Sequence, residues 1–345
     1  MYILSDFKKD FLSNIFSGLK KNSRILLTGG TGFFGRSILR FCKEQDSSGL
    51  NVPQILVVSR NPDSFLVKYP EFGELNWLSF FKCDVEDAES VLNIPHCDFV
   101  LHAAANSTSL KNFSEIDRRD QIINGTKNIL NFVVKYKIKK LLYISSGAVY
   151  GNSNFKKPFI NETLLREYDS LDNTEIYGKA KLEAEHLCIL YGNHYNFKIT
   201  IARCFAFAGR DLPLNEHFAI GNFVYDAIFS ENIILKSSGN SVRSYLSQDD
   251  LAKWLFVLLI HGKNKNIYNV GSDKPISIYD LAFMVRNLIS PSKKIQICNK
   301  NNSAADSIYV PSINKVRNEY NLDVWTTVED IIISMANGRN AKLLI

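Results

Sequence analysis

An apolar run that halts at a glycine turn and restarts as a helix narrows the available folds more than any other feature of this chain. Residues 24–35 read Arg-Ile-Leu-Leu-Thr-Gly-Gly-Thr-Gly-Phe-Phe-Gly. Residues 25–27 suit a buried strand, and the apolar-rich stretch 33–41 suits the helix that leaves the turn. Gly29, Gly32 and Gly35 have the spacing of a dinucleotide-phosphate fingerprint. The first glycine permits the turn, the second lets backbone approach a pyrophosphate, and the third lets helix pack closely on strand. The helix start then offers unpaired N–H groups and the positive end of its dipole to the phosphates.

The rest of the chain extends this pattern. Strands are expected over 54–59, 77–82, 98–102, 140–145 and 198–203, and helices over 33–44, 114–136 and 175–191. Such alternation predicts an α/β fold, a Rossmann-type doubly wound parallel sheet with helices on both faces. Ligands then bind beyond the carboxyl ends of the strands. After residue 204 the rhythm changes. Pro213, Gly221, Gly239, Gly262, Pro275 and Pro291 punctuate shorter elements, with helices expected near 217–229, 249–261, 277–288 and 328–335. We read 23–203 as a nucleotide-binding domain and 204–345 as a smaller α/β substrate lobe, with a polar loop over 299–306. Ahead of both, Phe7, Phe11, Leu12, Ile15, Phe16 and Leu19 recur at helical spacing, predicting an amphipathic helix within 1–22 that packs on the body of the protein, with an oligomer contact as the alternative.

Composition excludes several classes. With 46% hydrophobic residues a sizeable core is available. The net charge of +6 is spread along the chain. A short group such as Lys135, Lys137, Lys139 and Lys140 reads as a solvated helix end and not a nucleic-acid surface. A mild positive balance suits an anionic small substrate. The six cysteines are dispersed, with no Cys-x-x-Cys spacing, and the six histidines form no ligand pattern, so no metal is expected. The longest greasy run, 254–260, is too short for a bilayer, and charges at Asp6, Lys8, Lys9 and Asp10 break any leader-like stretch. A cytoplasmic protein is the expectation.

A second cluster carries chemistry. Tyr177-Gly178-Lys179-Ala180-Lys181 opens an expected helix. Residues four apart share a helix face, so Tyr177 and Lys181 project together. A nearby ammonium favours the phenolate. Such a tyrosine can exchange a proton with a substrate hydroxyl while hydride moves to or from a nicotinamide. Ser145 and Ser146 end the 140–145 strand, where a hydroxyl can hold the substrate oxygen.

These motifs stand in order with His102-Ala103-Ala104-Ala105, Ile144-Ser145-Ser146-Gly147-Ala148-Val149-Tyr150-Gly151, Arg243-Ser244-Tyr245-Leu246-Ser247-Gln248-Asp249-Asp250 and Tyr268-Asn269-Val270-Gly271. Over about residues 24–335 the chain resembles the extended short-chain dehydrogenase/reductase family, in its nucleotide-sugar epimerase/dehydratase branch. The resemblance implies that Gly29, Gly32 and Gly35 cradle the pyrophosphate with the Phe33 and Phe34 amides. It implies that Asp84, beside Val85, meets the adenine amine, and that Ala103, Ala104 and Ala105 line the cofactor path. Ser146 corresponds to the catalytic serine or threonine and Tyr177 to the acid/base. Lys181 holds the nicotinamide ribose, and Arg243 meets the substrate diphosphate. Ser107 is a further substrate-contact candidate.

Three departures sharpen the expectation. The second strand ends in Ser59-Arg60, where an NAD-preferring relative carries an acidic residue for the ribose hydroxyls. A guanidinium suits a 2′-phosphate, so NADP is the expected cofactor, with NAD as the alternative. Ser146-Gly147-Ala148 replaces the acidic triplet of sugar 4,6-dehydratases, which disfavours water elimination. Ala206 stands where an asparagine normally contacts substrate, leaving His217, Asn222 and Asn215 to replace it. The expected activity is epimerisation of a nucleotide-diphosphate hexose through a keto sugar. An NADPH-dependent 4-keto sugar reductase is the alternative, and a non-catalytic NADP sensor is the reading from another class. A homodimer through the 114–136 and 175–191 helices is what such relatives make plausible.

Overall fold

The computed structural model describes residues 15–20, 22–105, 114–151, 159–164, 176–216, 218–298 and 307–340. Most of the expected N-terminal helix, Ser107, His217 and the 299–306 loop lie outside them. In chain order the first elements are β1 (Arg24–Thr28), α1 (Phe33–Ser47), β2 (Gln54–Ser59), α2 (Pro62–Lys68), β3 (Leu78–Lys82), α3 (Ala88–Leu92), β4 (Phe99–His102), α4 (Glu115–Lys135), β5 (Lys140–Ser146), α5 (Ile176–Tyr195) and β6 (Lys198–Cys204). There follow β7 (Phe207–Ala208), α6 (Ala219–Phe229), β8 (Ile233–Leu235), β9 (Val242–Arg243), β10 (Leu246–Ser247), α7 (Gln248–His261), β11 (Asn266–Val270), β12 (Ile276–Ser277), α8 (Ile278–Ile289), β13 (Ile295–Ile297), β14 (Ile308–Tyr309), α9 (Asn314–Tyr320) and α10 (Val328–Asn340).

Seven strands form one sheet in the order β11-β6-β5-β4-β1-β2-β3. β1 pairs in parallel with both β2 and β4, and β4 pairs in parallel with β5. Strand order therefore reverses between β1 and β4, the switch point of a doubly wound sheet. The central strands are apolar at nearly every position because helices cover both faces: Ile25, Leu26, Leu27, Ile55, Val57 and Leu142 are all essentially inaccessible. The Rossmann-type sheet expected from the alternation is the one observed.

The chain divides into two compact units. The first spans Met1–Gly151, Arg166–Arg203 and Ala252–Tyr268, and the second spans Asn152–Leu165, Cys204–Leu251 and Asn269–Ile345. In the first, the described end of the N-terminal segment packs inward: the Phe16 ring lies 5.0 Å from Phe256 and 6.0 Å from Phe41. In the second, three small sheets (β10-β7, β12-β9-β14 and β13-β8) accompany helices α6, α8 and α10, which pack on one another.

Local chemistry explains the helix boundaries. A reciprocal capping box between Ser114 and Asp117 starts α4. Helix α5 runs to Tyr195, past the expected end at 191, and Gly192 in its last turns lets it lie against β6, since a Cβ there would meet Ile199 at 2.9 Å. The seven-residue α2 is too short for apolar periodicity to reveal it. Its signal is the Asn61 side chain accepting from the Ser64 N–H, with Pro62 in the first turn.

Candidate active site

The glycine turn follows β1 directly. Gly29 has φ +70°, and a Cβ there would lie 2.7 Å from the Ala103 carbonyl oxygen, so glycine alone lets the turn lie against the end of β4. A Cβ at Gly35 would overlap the Gly30 carbonyl, which is the close helix-to-turn packing expected of the third glycine. Gly32 caps α1 without a side-chain hydrogen bond. The start of α1, with Phe33 and Phe34 in its first turn, thus turns the positive end of the helix dipole toward the glycine turn, where an anion is favoured.

A residue the motif reading passed over holds this turn to β4. Thr28, His102 and Tyr143 lie in register across β1, β4 and β5. Thr28 Oγ1 accepts from the backbone N–H groups of Ala103 (3.1 Å) and Ala104 (3.0 Å), and it lies 2.7 Å from His102 Nδ1. With both lone pairs used, the Thr28 hydroxyl donates its proton to Nδ1. His102 is therefore the tautomer with hydrogen on Nε2, which donates to Thr126 Oγ1 at 3.3 Å. Burial, assisted by the Lys181 ammonium, pulls His102 from 6.5 down to about 3, so it is neutral at physiological pH. The half-buried backbone of Ala103, Ala104 and Ala105 leaves β4 from this anchor.

Beside the turn, Ser59 Oγ lies 3.4 Å from Thr31 Oγ1 and accepts from the Asn61 N–H, while Arg60 is exposed. Beyond β3, Asp84 Oδ1 accepts from the Glu86 N–H. Helix α4 clamps that loop. Gln121 donates to Glu86 (2.7 Å), Asn128 donates to the carbonyls of Val85 and Glu86, and Gly125 leaves room for the Val85 side chain.

At the end of β5, Ser146 Oγ accepts from the Ala148 N–H (3.1 Å), capping a 3₁₀ turn over Gly147–Tyr150 and keeping its own hydroxyl proton to donate. Helix α5 starts hard against this turn, because a Cβ at Gly178 would overlap the Ala148 carbonyl. Gly178 thus brings its neighbour Tyr177 to the strand end that carries Ser146. Tyr177 is half-buried, and Lys181 is buried with Nζ donating to the Ile144 carbonyl (2.9 Å). An ammonium has three protons to give. Ser145 does not face the same way. It donates to Glu185 (2.5 Å), whose two oxygens accept Arg203 Nε (3.0 Å) and Nη2 (2.8 Å). Burial opposes the Arg203 charge, but the Glu185 carboxylate more than offsets it and raises the guanidinium above its ordinary value. This bidentate pair locks the end of β5 to α5 and β6.

In the second unit, Arg243 on β9 donates from Nη1 to the Ser307 carbonyl (2.8 Å) and from Nη2 to the Ser307 hydroxyl (2.9 Å). Asn222 lies in the first turns of α6, and its side-chain oxygen is buried without a hydrogen-bond partner among the described residues. No group of three or more His, Cys, Asp or Glu among the described residues is placed to hold a metal ion. No described helix is long and apolar enough to cross a membrane.

Comparison with known proteins agrees with this geometry. The chain is 28% identical over 277 residues to the dTDP-D-glucose 4,6-dehydratase of Dictyostelium discoideum, covering 77% of this chain and 62% of that protein. It is 23% identical over 286 residues to the UDP-glucose 4-epimerase of Halalkalibacterium halodurans, covering 76% and 80%. In fold it is similar to the UDP-glucose 4-epimerase of Thermotoga maritima solved with UDP-glucose: TM-score 0.78, 21% identity, covering 93% of this chain and 99% of that one. The model of the NAD dependent epimerase/dehydratase family matches residues 25–271, and the chain belongs to that family, in the nucleotide-sugar branch of the extended short-chain dehydrogenases/reductases.

Proposed function

We propose that this enzyme epimerises a nucleotide-diphosphate hexose through a keto sugar, with NADP as cofactor. The observation that carries the reading is the meeting of Ser146 and the Tyr177 helix start at the end of β5, made possible by Gly178, with Gly147 and Ala148 where a dehydratase would carry carboxyl groups. The fit to a dinucleotide rests on the uncapped start of α1, on Gly29 and Gly35, and on the Thr28–His102 anchor beneath Ala103 and Ala104. Gly29, Gly32, Gly35, Phe33, Phe34, Ser59, Arg60, Asp84, Val85, Ala103, Ala104, Ala105, Tyr177 and Lys181 would hold it. When bound, a nicotinamide supplies reversible hydride uptake at the sugar carbon. Tyr177 takes the hydroxyl proton as the ketone forms and returns it afterwards. Ser146 donates to the same oxygen and fixes its place, while Lys181 keeps the phenol charged-competent. Arg243, Ser107 and Asn222 are the residues we assign to the substrate, whose two phosphates suit a guanidinium.

Turnover of UDP-, CDP-, GDP- and dTDP-sugars followed by NMR tests the proposal. Interconversion without net change in nicotinamide absorbance is expected, and Tyr177→Phe should lower kcat about 10²–10⁴-fold while NADP still binds. Stoichiometric NADPH oxidation with a 4-keto sugar would instead select the reductase, and undiminished biological activity of Tyr177→Phe would select a sensor. The exposed Arg60 favours the 2′-phosphate. Arg60→Ala should weaken NADP about tenfold or more and leave NAD nearly unchanged, since a charge-assisted contact is worth about 1.5–3 kcal/mol. Equal weakening of both would refute the phosphate assignment. A homodimer through α4 and α5 fits Ile116 and Leu190, which are 67% and 62% exposed.

A further inference from the structure

Helix α4 carries two arginines in succession, and they point to different surroundings. Arg119 is 47% exposed at its side chain and grips both oxygens of Glu183 on α5 (3.0 and 2.9 Å). Arg118 turns inward and is only 9% exposed. Its guanidinium carbon lies 5.7 Å from the centroid of the Tyr177 ring. One turn back, Glu115 meets its Nη1 at 3.3 Å but is itself 45% exposed. Arg118 Nε is buried with no hydrogen-bond partner among the described residues. Burying a cation with an unmatched donor is costly, and packing alone does not repay it. A feature kept at such cost invites a role beyond stability.

We propose that Arg118 is a positioning residue that sets the acidity of the Tyr177 phenol. The inference rests on the reading of Tyr177 as the acid/base. Charged or titratable groups facing Tyr177 include Arg118 from α4 and Tyr143 from β5, and Lys181 follows one turn later on α5 itself. Burial holds Tyr143 well above the ordinary phenol value, so it stays neutral and sets no opposing charge. Lys181 supplies one cation, tethered to Ile144. Arg118 supplies a second, over the ring, offset among the described residues by the solvated Glu115. Both favour the phenolate, the form that accepts the substrate proton. Arg118 thus extends the working range of the base to lower pH, and Glu115 limits how far.

The test reads the phenol directly. In the full-length protein labelled with [¹³Cζ]tyrosine, the Tyr177 resonance is the one missing from Tyr177→Phe, and its midpoint is followed with pH. Arg118→Met should raise that midpoint by about one pH unit, as expected for losing an opposite charge at this range. Arg118→Lys should recover most of the shift, and Glu115→Gln should move the midpoint down. Coincident titrations of wild type and Arg118→Met overturn the proposal. Should Arg118→Met fail to fold, Glu115→Gln decides alone: a lowered midpoint supports the proposal and an unmoved one overturns it. The acidic limb of kcat should follow the phenol. A midpoint that moves while that limb stays fixed supports the Arg118 assignment and overturns the acid/base role of Tyr177. A Tyr177-dependent kcat with an unmoved midpoint does the reverse.

Discussion

At the carboxyl end of β1, Thr28, His102 and Thr126 meet through neutral hydrogen bonds, whereas at the carboxyl end of β5 Glu185 and Arg203 meet as ions. Both anchors are buried, and both hold a strand end from which site residues depart. The first depends on a histidine remaining uncharged. The second depends on two charges remaining together. One end is therefore vulnerable to acid and the other to loss of a single partner, although the two differ little in depth.

Glu185→Gln should do the most damage, because it strands the Arg203 charge in the interior. A loss of about 3–5 kcal/mol is expected, read from the urea midpoint. Removing both partners, as Glu185→Leu with Arg203→Met, should recover most of it. If the single variant is nearly neutral, the ionic half of the comparison fails.

Acid should expose the other end. The folded pKa of His102, about 3, lies below its ordinary 6.5, so between these values the unfolded chain binds more protons than the native one. Stability contributed by His102 is complete above pH 6.5 and is lost as pH falls toward 3, reaching about 3 kcal/mol at pH 4. His102→Asn keeps an acceptor for Thr28 and removes the titrating group. Wild type should therefore lose more stability than this variant between pH 7 and 4, and parallel losses would remove the distinction between the two ends.

The smallest effect belongs to the exposed bridge from Arg119 to Glu183. Glu183→Gln should change stability by no more than about 1 kcal/mol, and less in high salt. A larger loss would show that burial is not what separates the Glu185 pair from surface pairs.

Much of this architecture could be read along the chain. Strands β2, β4, β5 and β6 coincide with the expected runs to within a residue, because a sheet covered on both faces demands continuous apolar segments. The glycine turn was legible because positive φ and close approach admit few residues. Short α2 and α3 escaped notice, since five to seven residues hold too little periodicity, although Asn61 and Asp87 caps marked them. Thr28 looked like any strand-end threonine. Arg118 and Arg119 look alike in sequence, and only packing shows that one is buried against Tyr177 while the other reaches Glu183. The same holds for Glu185, which reads as a polar position on a helix until Arg203 arrives from β6.

What sequence alone determined was the order of strands and helices, the turn that only glycine can make, and the pairing of Tyr177 with Lys181 on one helical face. These follow from backbone sterics and local periodicity, which act within a few residues. The tertiary structure alone decided which side chains share an interior: the neutral tautomer of His102, the Glu185–Arg203 clamp and the guanidinium over Tyr177. Those depend on desolvation and on distances between residues far apart in the chain, and neither quantity exists until the strands are aligned.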